Sequence, residues 1–326
     1  MSEFLARNRL ILLAYAGMVL LLLVTAVFSP GFLSASNLRS TVVLAAFVGI
    51  VALGQTFVII GGGIDLSVPW VLNCAAIIMT LLCGGQDLPL AWVAPLVLAG
   101  GAGIGLINGV GVAKFGVPPI IMTLATNVIL QGLILVVTGG SPTPPAPGLI
   151  KFLSVGRIGP FPVIALIWLL LTVAATILLS KAPFGRHLYA LGTSVTVAEF
   201  SGVPTARTTI LTYVISGLTA AFAGILLTGY SGQAYLGMGD AYLFTSIAAV
   251  AIGGASILGG SGHYLGTVAG AMVLTILTGL LPALNLSSGA LLVVYGAVIL
   301  ITVSLGSEAF AGLARLLRSS AHKGEA

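Results

Sequence analysis

Apolar residues run in long blocks along this chain, interrupted by short polar or glycine-rich stretches. A helix that crosses a bilayer needs about 20 mostly apolar residues. Ten such blocks can be drawn: 9–28, 41–60, 68–83, 90–113, 117–137, 162–181, 208–230, 242–260, 262–283 and 288–306. The pattern predicts an all-α integral membrane protein of about ten spans, forming one transmembrane domain over residues 1–326. The first block is longer than the apolar core of a signal peptide, and more spans follow it. It is expected to remain as an uncleaved helix.

Composition sharpens this reading. The chain is 58% hydrophobic and only 6% charged, with a mean hydropathy of +1.20, whereas a soluble domain carries about 25% charged residues. Its 44 glycines suit helices that approach backbone to backbone in lipid. Lys and Arg favour the inner side of a membrane. With the N-terminus in the cytoplasm, Arg7, Arg9, Lys114, Lys181, Arg186, Arg207, Arg315, Arg318 and Lys323 fall inside. Only Arg39, Lys151 and Arg157 fall outside. Both termini are then cytoplasmic, and the net charge of +5 needs no nucleic-acid partner.

Two loops stand out. Residues 138–161 carry Pro142, Pro144, Pro145, Pro147 and Pro160 and lie outside; proline keeps such a segment extended and stiff. They read equally as a connector or a docking surface. Residues 182–207 form the one long cytoplasmic loop, with a short helix expected at 194–201 and a stop at Gly202 and Pro204. Blocks two to five and seven to ten run in opposite senses, which suggests an inverted repeat. Its expected trace is the glycine-rich stretches 100–111 and 253–270.

Candidate chemistry is sparse. The seven acids are Glu3, Asp65, Asp87, Glu199, Asp240, Glu308 and Glu325, and by the span boundaries none lies at depth. That argues against a proton-coupled carrier. No Lys is followed by Ser or Thr, so the Walker pattern is missing and any ATPase must be another polypeptide. The run 253–266 lacks full G-x-G-x-x-G spacing and reads as a turn between spans. Cys74 and Cys83 read as small buried hydrophobes, and His187, His263 and His322 show no metal-ligand spacing. No metal site is expected.

Asp65 sits in GGGIDLSV (61–68) at the end of the second block, near the inner surface. Gly62 and Gly63 allow unusual backbone geometry, and Asp65 is expected to cap the next helix with Ser67 beside it. Candidate residues for a substrate pathway are polar ones inside spans: Gln55, Asn73, Asn108, Thr123, Asn127 and Gln131. The last three are spaced by four, hence on one helix face.

These residues resemble a known family. VALGQTFVIIGGGIDLSV (51–68), PPIIMTL (118–124), FGRHLYALGTSVTVAEFSGV (184–203) and SIAAVAIGGASILGGSGHYLGTVAGA (246–271) are similar to permease subunits of bacterial ABC sugar importers of the ribose/xylose/arabinose/galactose type. The resemblance spans about 37–305. It implies an inner-membrane subunit in the lipid bilayer that pairs with a second permease, identical or not. It also implies an ATPase with two nucleotide-binding domains and a periplasmic sugar-binding protein. ATP and magnesium would sit on the ATPase, with no cofactor in this chain. The segment matching 192–204 would be the coupling helix, with Gly192, Ala198, Glu199, Gly202 and Pro204 in that role. Departures include Thr193-Ser194 for a usual Gly-Asn, Val197-Ala198-Glu199 for Ala-Ala-Arg, Pro69 for Gly and Thr278 for Asn. The stretch Leu243 to Ser246 lacks the family's frequent acids. The Glu199 exchange reverses charge at the proposed contact and suggests a complementary ATPase. The resemblance leaves furanosyl autoinducer permeases open; the rival of another class is an ion-coupled secondary sugar transporter.

Overall fold

The computed structural model describes residues 9–141, 143–283 and 288–306. Arg7, Arg315, Arg318, Lys323, His322, Glu3, Glu308 and Glu325 lie outside them. In chain order the helices are α1 (Arg9–Phe28), α2 (Ala35–Ile60), α3 (Val68–Cys83), α4 (Leu90–Ala113), α5 (Pro119–Thr138), α6 (Gly148–Val155), α7 (Val163–Ser180), α8 (Pro183–Thr193), α9 (Val195–Phe200), α10 (Thr205–Ser231), α11 (Tyr242–Ile252), α12 (Tyr264–Ala283) and α13 (Ser288–Gly306). Among the described residues, α1, α2, α4, α5, α7 and α10 are long and apolar enough to cross a membrane by length and composition.

The long helices α2 and α10 form the centre, and their inner faces are almost entirely buried. The α4–α10 contact follows from glycine spacing. Gly101, Gly105 and Gly109, four apart on one face of α4, lie against Gly217, the Tyr213 carbonyl and Ile210 of α10, and leave no room for a Cβ. Such small-residue seams let backbones touch where lipid gives helices no hydrophobic reason to associate. Gly105→Ala is therefore expected to cost about 1–3 kcal/mol by overpacking, seen as a lower thermal midpoint in detergent. Gly103→Ala, which meets open space, is the control and should leave the midpoint unchanged.

The largest departure from the expected spans is at 242–260. The helix α11 stops at Ile252, because Gly253-Gly254 is a helix stop that the apolar count overlooked. Gly254 adopts φ +84°, the Ala255 N–H returns to the Val250 carbonyl (3.2 Å) and the Gly254 N–H to the Ala251 carbonyl (3.0 Å). This pair of bonds is a Schellman stop. The same device ends α2: Gly62 has φ +84°, and the N–H groups of Gly63 and Gly62 return to Val58 (2.9 Å) and Ile59 (2.9 Å).

The expected repeat is visible in its first two pairs of blocks, two with seven and three with eight. A long helix, a glycine break with Asp three residues after a left-handed Gly, and a shorter helix occur twice: α2, Gly62–Asp65, α3; and α10, Gly237–Asp240, α11. The two units run antiparallel, so their breaks enter from opposite ends of the bundle. They meet at the first turn of α3. Gly239 lies against the Pro69 carbonyl, and the Asn73 amide is sandwiched between the Tyr235 carbonyl (3.2 Å) and the Gly237 N–H. The first turn of α3 thus packs against the segment that leads into α11. The stretches 100–111 and 253–270 serve helix packing instead.

Residues 138–161 are more than an extended connector, since they contain α6 and a two-stranded hairpin (Arg157–Ile158 with Phe161–Pro162). Their proline segment is tied to the end of α10 by Thr143 to the Ala234 carbonyl (2.7 Å) and Ala146 to the Gly232 carbonyl (2.8 Å). Residues 182–207 hold two helices, α8 and α9, and not the single short one expected.

Candidate functional site

Four of the polar side chains that the sequence singled out, Asp65, Ser67, Asn108 and Thr123, converge on the break after α2. Asp65 is fully buried. Its Oδ1 accepts from the Ser67 N–H (2.9 Å) and hydroxyl (2.6 Å), and its Oδ2 accepts from the Ser216 hydroxyl on α10 (2.7 Å). The Asn108 amide of α4 donates to Ser67 Oγ (2.9 Å). Thr126 of α5 donates to Asn108 Oδ1 (2.6 Å). Thr123 accepts the Leu66 N–H (3.0 Å) and donates to the Pro119 carbonyl (2.8 Å). One chain of hydrogen bonds therefore ties the break to α4, α5 and α10.

Two expectations about Asp65 change. The N-cap of α3 is Ser67, and Asp65 binds that residue from two positions upstream. Nor does Asp65 lie near a surface. Its partner Ser216 is ~16 Å along α10 from Thr205 and ~22 Å from Ser231 at 1.5 Å per residue. The span boundaries missed this because the chain turns back into the fold after Gly61–Gly63, where helix α2 has already ended. A buried carboxylate costs many kcal/mol unless it is hydrogen-bonded, and three donors together with the nearby N-terminus of α3 offset that.

The pathway candidates separate. Asn73, Asn108 and Thr123 are buried and committed to partners within the fold. Gln55 is buried on α2 with neither amide atom bonded. Asn127 is half-buried with an unpaired Oδ1, and Gln131 is exposed. Gln131 lies on the outer face of α5, among exposed Val128 and Leu135, whereas the Asn127 oxygen is buried. The Tyr213 hydroxyl, also buried and unpaired, borders Gly63.

At the end of the bundle carrying Lys114, Lys181, Arg186 and Arg207, α9 projects outward. Ser194 caps it by accepting the Val197 N–H (3.3 Å). Gly202, at φ +78°, ends it in a third Schellman stop, with Val203 returning to Ala198 (3.0 Å) and Gly202 to Glu199 (2.9 Å). Ala198 is buried, and Gly192 lies against the Ile60 carbonyl and Gly260. Both pack within the chain and hold the helix in place, Gly192 being only half-buried. The exposed residues of α9 are Val195, Thr196, Val197, Glu199 and Phe200, the last 90% exposed. Glu199 also accepts the Thr205 hydroxyl (2.9 Å), bracing α9 against the start of α10. Behind α9 lies a cavity of about 230 Å³ lined by Gly61–Gly63, Glu199, Thr209, Thr212 and Tyr213. At the opposite end Arg39, Arg157 and Tyr230 line a cavity of about 220 Å³.

A family model described as the permease component of a branched-chain amino acid transport system matches residues 37–303. The chain belongs to this family. It is a multi-pass membrane permease component, a transport subunit and not an enzyme. The ribose import permease protein of Bacillus subtilis is 37% identical over 295 residues, covering 89% of this chain and 91% of that protein. The corresponding protein of Escherichia coli K12 is 34% identical over 297 residues, covering 89% and 92%. The autoinducer 2 import system permease protein LsrD of Photorhabdus laumondii is 34% identical over 229 residues, covering 68% of each. No solved structure matches the chain.

Sequence reasoning missed several parts of the permease's site. Ser216 and Thr126 close the Asp65 network from helices distant in sequence, and Ser and Thr inside an apolar span give no signal of their own. Val195, Val197 and Phe200 were passed over as apolar residues. Their presence in a segment that also carries Arg186, His187, Glu199 and Arg207, outside every span, could have revealed them.

Proposed function

We propose that the permease forms, with a second permease subunit, the path by which an ATP-driven importer moves a monosaccharide or related polyol into a bacterial cell across the inner membrane. The basic end is cytoplasmic, with both termini on that side. There α9 meets an ATPase of two nucleotide-binding domains, which carries ATP and magnesium. A sugar-binding protein delivers substrate at the opposite end, where α6, Arg39 and Arg157 offer a surface. The observation that carries this reading is α9 itself: a capped, braced helix presenting three exposed apolar side chains beyond the spans. An exposed Phe among charged residues is costly in water and is the usual form of a partner contact.

The pathway runs along the outer face of α5. A Gln amide facing hydrocarbon is unfavourable by several kcal/mol, so Gln131 belongs against water or a second copy, with Asn127 one turn away along the helix. The fully committed Asn73 and Thr123 are structural in this reading. Likeness to an autoinducer permease supports a furanosyl ligand as the second reading. The test is uptake by vesicles holding the permease with its ATPase, given the binding protein and a panel of labelled pentoses, hexoses and furanosyl compounds. Uptake should require ATP inside and the binding protein outside. Uptake by the permease alone under an ion gradient would overturn the proposal.

A further inference from the structure

Helix α8 touches the glycine stop of α2 with one face and the glycine turn between α11 and α12 with the adjacent one. Leu188 and Gly192, four residues apart, meet the end of α2. Leu188 is fully buried, with its Cδ1 3.1 Å from where a Cβ on Gly61 would stand, and Gly192 leaves no room for a Cβ against the Ile60 carbonyl. Tyr189 and Thr193, also four apart, meet the segment after α11. The Tyr189 hydroxyl donates to the Gly262 carbonyl (2.7 Å), and a Cβ on Gly260 would stand 2.8 Å from Thr193 Oγ1. Residues four apart share a helix face, so the register of α8 alone sets both contacts.

The α2 stop and this turn are also joined to each other. The Gly260 N–H donates to the Ile60 carbonyl (2.9 Å), and a Cβ on Gly259 would stand 2.9 Å from Gly62 Cα. Backbone lies on backbone throughout, and close-packed contacts of this kind transmit displacement instead of absorbing it. From the α2 stop the chain leads within a few residues to Asp65 and α3. From the glycine turn it leads to α12, whose first turn is held by His263 Nδ1 accepting the Leu265 N–H (3.1 Å). A single residue, Ser194, separates α8 from α9.

We propose that α8 is a yoke: displacement of α9 reaches both inverted units together through it, with Tyr189 as the positioning residue for the second unit. This rests on the reading that α9 receives the ATPase. Two independent links would let one half of the fold move while the other lags; a yoke keeps them in step.

The test uses the whole transporter in vesicles, comparing wild type, Tyr189→Phe and Gly192→Ala. Tyr189→Phe removes one hydrogen bond at a half-buried site, so the protein should still fold, with a thermal midpoint lowered only slightly, and keep hydrolysing ATP on addition of binding protein. Sugar moved per ATP should fall about threefold to tenfold, the scale of one hydrogen bond in a coupling network. A merely structural role would leave that ratio alone. Wild-type sugar per ATP in Tyr189→Phe overturns the yoke, whether or not Gly192→Ala folds. Absence of ATP-driven uptake in wild type overturns the transport reading itself, and the yoke with it.

Discussion

Asp65→Ala should deprive the permease of most of its folded yield and of all measurable uptake, while Asp65→Asn should leave both largely intact. The Ala variant strands the Ser67 N–H, the Ser67 hydroxyl and the Ser216 hydroxyl, all buried. Each buried donor without an acceptor costs about 1–3 kcal/mol. The sum reaches about 3 kcal/mol or more, a large part of the 5–15 kcal/mol that holds a typical protein folded. In the Asn variant the amide oxygen keeps both bonds to Ser67, and the amide nitrogen faces Ser216 Oγ, whose hydroxyl turns to accept. A difference of about 1 kcal/mol from wild type is expected. Thermal unfolding in detergent and ATP-dependent uptake measure the two arms. If Asn damages the protein as much as Ala, the charge of Asp65 matters and the network reading fails.

The asymmetry between Ala and Asn follows from where the network draws its members. GGGIDLSV was legible as a special segment because three glycines before an acid mark a backbone turn. Its depth was not, since depth depends on α10, which contributes Ser216 from 151 residues away. Helix bounds were legible wherever apolar runs coincide with helices, as at α1, α3, α4 and α13. At 242–260 Ala255, Ile257 and Leu258 prolonged the apolar run after the backbone had turned, and only the Gly253-Gly254 pair betrayed the stop. That 182–207 lies outside the apolar runs could be read from its charge. The yoke could not: Leu188 and Tyr189 look like ordinary members of an amphipathic helix until two distant glycine turns are placed against them.

Phe200→Asp should abolish ATP-driven uptake while leaving the permease folded, with the loss appearing as failure to hold its ATPase. The side chain is 90% exposed, so its replacement disturbs nothing within the chain. In a partner's groove a Phe buries about 150–250 Å², and a central aromatic contact is worth about 2 kcal/mol or more, so affinity should fall about thirtyfold or further. Glu199 needs a more careful comparison, because its carboxylate also accepts the Thr205 hydroxyl (2.9 Å) at the N-terminus of α10. Glu199→Arg should uncouple hydrolysis from uptake, but it also removes that brace and puts a cation at a helix N-terminus, unfavourable by about 0.3–1 kcal/mol. Glu199→Gln keeps the acceptor and removes only the charge. If charge complementarity with the ATPase matters, Gln should weaken coupling and Arg should do so further; if the brace matters, Gln should behave as wild type and Arg should lower the thermal midpoint. Co-purification of the ATPase with each variant separates these outcomes, and a Phe200→Asp protein that retains its ATPase and its uptake would remove α9 as the docking element.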